Sequence, residues 1–132
     1  MSIKRIDHIA IVVPDIDAAL GFWRDALGLD LSHVENVAEQ GARVAFLPAG
    51  ESEVELVEPT TDTSGMARYM AGRGPGMHHI CFAVDDIEGT LARLKERGVQ
   101  LINEEPTIGA SGKKIAFIHP KSTGGVLVEL NE

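Results

Sequence analysis

The chain carries an internal duplication, and this constrains its fold more than any single motif does. Asp7-His8-Ile9-Ala10-Ile11-Val12-Val13-Pro14-Asp15-Ile16 aligns with His78-His79-Ile80-Cys81-Phe82-Ala83-Val84-Asp85-Asp86-Ile87 at an offset of 71, which superposes His8 on His79 and also brings Leu20 onto Leu91. The offset persists where Gly41-Ala42-Arg43-Val44-Ala45-Phe46-Leu47 falls on Gly112-Lys113-Lys114-Ile115-Ala116-Phe117-Ile118. It becomes 74 after a short insertion, and Val54-Glu55-Leu56 then lies on Val128-Glu129-Leu130. Each half therefore holds one His near its start and one Glu near its end.

The halves also share a pattern of elements. Asp15 and Asp86 are suited to cap a helix N-terminus, because a short carboxylate accepts from the unpaired N–H groups of a first turn. Apolar residues then recur at helical spacing, Ile16, Leu20, Trp23 and Leu27 in one half and Ile87, Leu91 and Leu94 in the other, until Gly28 and Gly98 stop the pattern. A β-rich run precedes each helix, at 6–13 and 77–84, and three shorter runs follow it, at 29–37, 43–47 and 53–58, then at 99–103, 114–119 and 125–130. The order is βαβββ, twice. The sequence predicts an α+β fold in which two tandem βαβββ modules form one curved mixed sheet with the helices outside. The 132 residues are expected to make a single domain, with module 1 at about 4–59, a linker at about 60–75 that has helical potential at 66–71, and module 2 at about 76–132.

Strand alternation then places the chemistry. His8, Ala10 and Val12 share a face opposite Ile9, Ile11 and Val13, while His79, Cys81 and Ala83 lie opposite Ile80, Phe82 and Val84. The bulky faces are expected to pack beneath the helices, and the small faces to leave room for a ligand. Glu55 and Glu129 sit inside apolar strands, where a carboxylate is costly to bury unless it is paired, protonated or bound to a cation. Two imidazoles and two carboxylates at repeat-matched positions suit Zn²⁺, Co²⁺, Ni²⁺, Mn²⁺ or Fe²⁺. A lone strand His is more often a satisfied core residue, and an edge-strand Glu is often merely solvated, but the duplication weighs against coincidence. His78 and His119 have no His counterpart, His33 reads as an exposed strand residue, and Cys81 as a small buried filler.

Composition bounds the partners. A formal charge of −8 leaves no broad basic surface for a nucleic acid, and an anionic substrate would need local cations such as Arg43, Arg73, Lys113, Lys114 or Lys121, or a metal. The single cysteine excludes an intramolecular disulfide, so a cytoplasmic location is the default expectation. No apolar run is long enough to span a bilayer, and the first strand begins so close to Met1 that no membrane segment or removable leader is expected.

Several stretches together give a narrower resemblance: Ile6-Asp7-His8-Ile9-Ala10, Gly76-Met77-His78-His79-Ile80-Cys81, Ile108-Gly109-Ala110 with Phe117-Ile118-His119-Pro120-Lys121, and Gly124-Gly125-Val126-Leu127-Val128-Glu129-Leu130. Nearly end to end, the chain resembles the methylmalonyl-CoA epimerases of the vicinal oxygen chelate superfamily. That resemblance implies metal ligands at His8, Glu55, His79 and Glu129, with Glu or Gln found in the family at position 55. It implies a divalent ion, Co²⁺ first, with Zn²⁺, Mn²⁺, Ni²⁺ or Mg²⁺ as alternatives. An acyl-CoA substrate and a homodimer follow from it too. It further implies that Glu39 and Glu129 are the two bases of a 1,1-proton transfer that interconverts the (2R) and (2S) epimers through an enolate. In the repeat Glu39 lies opposite Ala110, so it is an asymmetric addition to a symmetric scaffold. Rival readings are a glyoxalase I-like lactoylglutathione lyase, an Fe²⁺ extradiol dioxygenase and a non-catalytic binding module of the same fold. The second Glu disfavours the dioxygenase, and four intact ligand positions disfavour the binding module.

Overall fold

Backbone pairing turns the repeat into two structural units of like topology. A computed structural model describes residues 2–109 and 112–132. Within it the chain divides into one unit made of residues 8–78 and a second that combines the N-terminal residues, through Asp7, with residues 79–132. Eight strands are present among the described residues: β1 (Ile3–Val12), β2 (His33–Val37), β3 (Ala42–Ala49), β4 (Ser52–Pro59), β5 (Gly76–Val84), β6 (Thr107–Ile108), β7 (Lys114–Ile118) and β8 (Leu127–Asn131). Three α-helices accompany them, α1 (Ile16–Leu20), α2 (Gly65–Arg73) and α3 (Ile87–Glu96). The class is α+β and each module runs βαβββ, as the repeat predicts.

In the 8–78 unit the strand order is β2-β3-β4-β1, antiparallel except for the parallel β4/β1 pair. In the other unit the order β5-β8-β7-β6 repeats this plan, with β5/β8 as its parallel pair. Ser2 belongs to this second unit, where its backbone N–H and hydroxyl both donate to the Asp85 carboxylate. These bonds hold the Asp85 carboxyl below its usual range.

Alternation sorts the side chains as the pleat requires. Ile11, Val13, Val54, Leu56, Ala45 and Leu47 pack with Ile16 and Leu20 of α1, while Phe82, Val84, Val128, Leu130, Ala116 and Ile118 pack with Ile87 and Leu91 of α3. A third cluster, Ala10, Val37, Ala42, Val44 and Val57 with Phe46 and Met66, occupies the opposite face of the first unit's sheet. Met66 belongs to α2, so the connection expected to be a linker contributes a helix that covers part of this face.

Asp15 and Asp86 cap their helices, accepting from the N–H groups of Asp17 and Gly89. A second pair of carboxylates reinforces both caps from far along the chain. Ile16 N–H donates to Glu58 and Ile87 N–H to Glu132, each at 2.9 Å, so each module ties its last strand to its helix start. Two more of the first-turn donors are thereby satisfied.

Three expectations change. The periodicity through Leu27 predicts an α-helix, but Gly21–Ala26 forms a π-helix, marked by Leu27 N–H donating five residues back to Phe22. The wider turn rotates later side chains off the 3.6-residue stripe, and Leu27 ends 55 % exposed, whereas Trp23 still packs on the core. The run at 29–37 is a strand only from His33. In module 2 the run at 99–103 is not a strand either: Leu101 makes one isolated bridge to Ile118, and the edge strand is Thr107–Ile108. There the Asn103 side chain accepts the Phe117 N–H and takes the place of a ladder bond.

Candidate metal-binding pairs and their surroundings

Parallel pairing builds the same two-residue arrangement in each unit. In the first, Ala10 is register partner to Glu55, so Glu55 faces the strand position two beyond His8. In the second, Cys81 is partner to Glu129, two beyond His79. Both carboxylates lean back to their histidine. His8 Nδ1 lies 3.3 Å from Glu55 Oε2, and His79 Nε2 lies 3.1 Å from Glu129 Oε1. His8, His79 and Glu129 are buried and Glu55 is half-buried. The repeat-matched residues thus form two imidazole–carboxylate pairs in matching register, one through Nδ1 of its histidine and the other through Nε2.

Each pair lies on the face away from its helix. His8 and Glu55 share theirs with Ala10, Val57 and Phe46, and the His79 ring stands edge-on to Phe117 at 5.7 Å between centroids. The apolar setting favours charge that is matched locally. The donor set, one imidazole nitrogen and one carboxylate oxygen per pair, is suited to a first-row divalent cation.

Glu39 sits apart, in the 3-10 turn Ala38–Gln40 between β2 and β3. Its side chain is exposed and engages no other side chain among the described residues. The turn is anchored: Gly41 accepts the Thr60 N–H through its carbonyl at 2.8 Å and takes a left-handed conformation, φ 61°. Thr60 and Thr61 also line an open cleft of about 400 Å³ with Pro59, Asp62, Ala67, Met70 and Ala71. The turn that carries Glu39 is thus tied through Gly41 to Thr60, one of the residues that line this cleft.

Residues 7–117 match the family model of the Glyoxalase/Bleomycin resistance protein/Dioxygenase superfamily. The chain belongs to this superfamily. Among its relatives, the uncharacterized Bacillus subtilis protein YqjC is 46 % identical over 98 % of this chain and 92 % of its own length. The mitochondrial methylmalonyl-CoA epimerase of Mus musculus is 39 % identical over 97 % of this chain and 72 % of its own. The solved structure of a Streptomyces coelicolor methylmalonyl-CoA epimerase variant in complex with 2-nitronate-propionyl-CoA superposes with a TM-score of 0.87, at 38 % identity, covering 98 % of this chain and 94 % of that one. The α+β fold expected from the repeat is thus that of the glyoxalase superfamily.

The remaining candidates have local surroundings of their own. Cys81 is a fully buried filler. His119 caps the turn Pro120–Ser122 by accepting the Lys121 N–H, His33 is exposed and stacks on Phe46, and His78 lies edge-on to Tyr69. Of the five cations, Arg43 pairs with Glu58, Lys114 with Glu88, and Arg73 lies over the Tyr69 ring, whereas Lys113 and Lys121 are exposed. Ala110, the repeat counterpart of Glu39, lies outside the described residues. One buried polar residue of the ligand-bearing face, Asn131, was not singled out from sequence, because its repeat counterpart is the ordinary strand residue Val57. Among the described residues no helix is long and apolar enough to cross a membrane.

Proposed function

We propose that the chain is a divalent-metal methylmalonyl-CoA epimerase acting as one domain, and that His8, Glu55, His79 and Glu129 jointly hold the ion. The observation that carries this reading is the recurrence of one His–Glu pair in each unit, at 3.3 and 3.1 Å and in the same parallel register, with His8, His79 and Glu129 buried and Glu55 half-buried. A structural repeat needs a carboxylate within an apolar strand at neither position, and each pair provides one nitrogen and one oxygen donor. The likeness to methylmalonyl-CoA epimerases over nearly the whole chain supports the substrate.

The chemistry requires removal of a weakly acidic proton from the carbon between a thioester and a carboxylate, followed by delivery of a proton to the other face. A bound divalent ion supplies the Lewis acidity that neutralises negative charge developing on the thioester oxygen. Glu39, on its anchored turn and free of other side-chain engagements among the described residues, is the base for one face. Glu129 is assigned the other face, each carboxylate serving as base in one direction and acid in the other. The imidazoles of His8 and His79 hold and orient. Co²⁺ is the first candidate ion, a homodimer the expected assembly and the cytoplasm the expected compartment.

The experiment is solvent deuterium exchange into methylmalonyl-CoA followed by NMR, with the hemithioacetal of methylglyoxal and glutathione run in parallel on the same metal-loaded protein. Exchange at the 2-position with little turnover of the hemithioacetal is the expected result. Turnover of the hemithioacetal alone would assign a glyoxalase. Inertness toward both with each metal would leave a binding module.

A further inference from the structure

Asn131 ends β8 on the face that bears His79 and Glu129. It is 6 % exposed, yet its side-chain amide makes no hydrogen bond to any described group of the protein. The amide is not sealed off, since among the described residues no unpartnered side-chain nitrogen or oxygen is wholly out of reach of solvent. Both amide atoms of Asn131 therefore keep some access to solvent. Its register partners are Ala83 on β5 and Ile115 on β7, and neither side chain offers a donor or an acceptor. Alternation aims it with Glu129, two positions earlier, while Val128 and Leu130 between and beside them point into the α3 core. The repeat shows that the fold does not require a polar group here: the equivalent position of module 1 is Val57, 4 % exposed and packed among apolar neighbours. Native chains seldom leave so enclosed an amide without a partner, and where they do the group calls for an explanation such as a ligand.

We infer that Asn131 is a substrate-positioning residue, its amide N–H donating to a carbonyl or carboxylate oxygen of the acyl substrate held beside Glu129. This rests on the epimerase reading above. A neutral donor suits the place, since a second carboxylate near Glu129 would repel an anionic substrate oxygen. Val57 offers no such bond, so the contact is one-sided, and the two oxygen functions that flank the reacting carbon are distinguished by it.

Asn131→Val and Asn131→Asp, each metal-loaded, test this beside wild type by thermal unfolding, metal content and steady-state exchange of methylmalonyl-CoA. Asn131→Val copies the module 1 residue and should keep wild-type metal content and a melting temperature equal to or above wild type. Its kcat/KM should fall about 10-fold or more, mostly through KM, the scale of one lost hydrogen bond to a charged group. Asn131→Asp keeps the size but replaces the donor by a like charge, and should fall further. Wild-type kinetics in Asn131→Val would overturn the assignment, and so would a loss of activity that tracks lower stability or metal content in both variants. A wild-type protein that leaves the 2-proton in place overturns the epimerase reading and this one with it, whereas an active wild type with unchanged variants overturns Asn131 alone.

Discussion

Gly41 and Gly50 have nearly the same φ, 61° and 63°, in quite different surroundings, and Gly→Ala at each separates two effects. At Gly50 a Cβ meets nothing within 4 Å, so only the backbone preference counts. A left-handed alanine costs about 1–2 kcal/mol, partly offset by about 0.4–1 kcal/mol from the stiffer unfolded chain. The net loss is expected at no more than about 1.6 kcal/mol. At Gly41 the same Cβ falls 2.8 Å from Thr61 Oγ1 and 3.1 Å from Ser64 Cβ. Thr61 can rotate. Ser64 cannot yield so easily, because it caps α2 by accepting the Ala67 N–H at 3.1 Å. Overpacking of this kind costs about 1–3 kcal/mol, and a lost cap about 1 kcal/mol. Gly41→Ala should therefore lose about 2–4 kcal/mol more than Gly50→Ala in urea unfolding, with the midpoint lowered and the slope unchanged. Because the displaced turn carries Glu39, this variant alone should also slow proton exchange, while Gly50→Ala should exchange at the wild-type rate. Equal stability losses in the two variants would refute the steric argument, and equal exchange rates would refute the link between the turn and the reaction.

His8→Ala or His79→Ala should each lower bound metal from about one ion per chain to a small fraction of that, read by elemental analysis; retention in either variant would show that its pair is not a ligand. Glu39→Gln keeps size and metal content but should slow exchange on the order of 10²-fold, and more from one substrate epimer than from the other. Asp85→Asn addresses pH: hydrogen bonds from the Ser2 backbone and hydroxyl lower the Asp85 pKa, so its contribution to stability is full above the unfolded value and fades as pH falls through the folded one. The variant should be less stable than wild type at neutral pH, with the gap narrowing below about pH 4 in urea midpoints measured against pH.

What could be read from residues alone was whatever the duplication wrote twice. His8 with His79 and Glu55 with Glu129 were legible because equal spacing in two halves exposes a role that one half would hide. Asp15 and Asp86 were legible because a cap acts on its own first turn. Interactions that reach across the chain were not. Glu58 and Glu132 occupy matched positions too, yet their bonds to Ile16 and Ile87 span 42 and 45 residues, and no local pattern announces them. The strand expected at 99–103 has the right composition, but Asn103 supplies a side-chain acceptor to Phe117 and the edge passes to Thr107–Ile108.

The sequence by itself determined the α+β class, the βαβββ order and the four repeat-matched side chains, since periodicity, caps and duplication are properties of neighbours along the chain. Tertiary structure decided where the first helix slips into a π turn and which edge strand pairs. It also decided that Asn131 is enclosed without a partner while Glu39 is held exposed on a turn. Enclosure depends on what packs against a residue from distant segments, and that is absent from the residue's own surroundings in sequence.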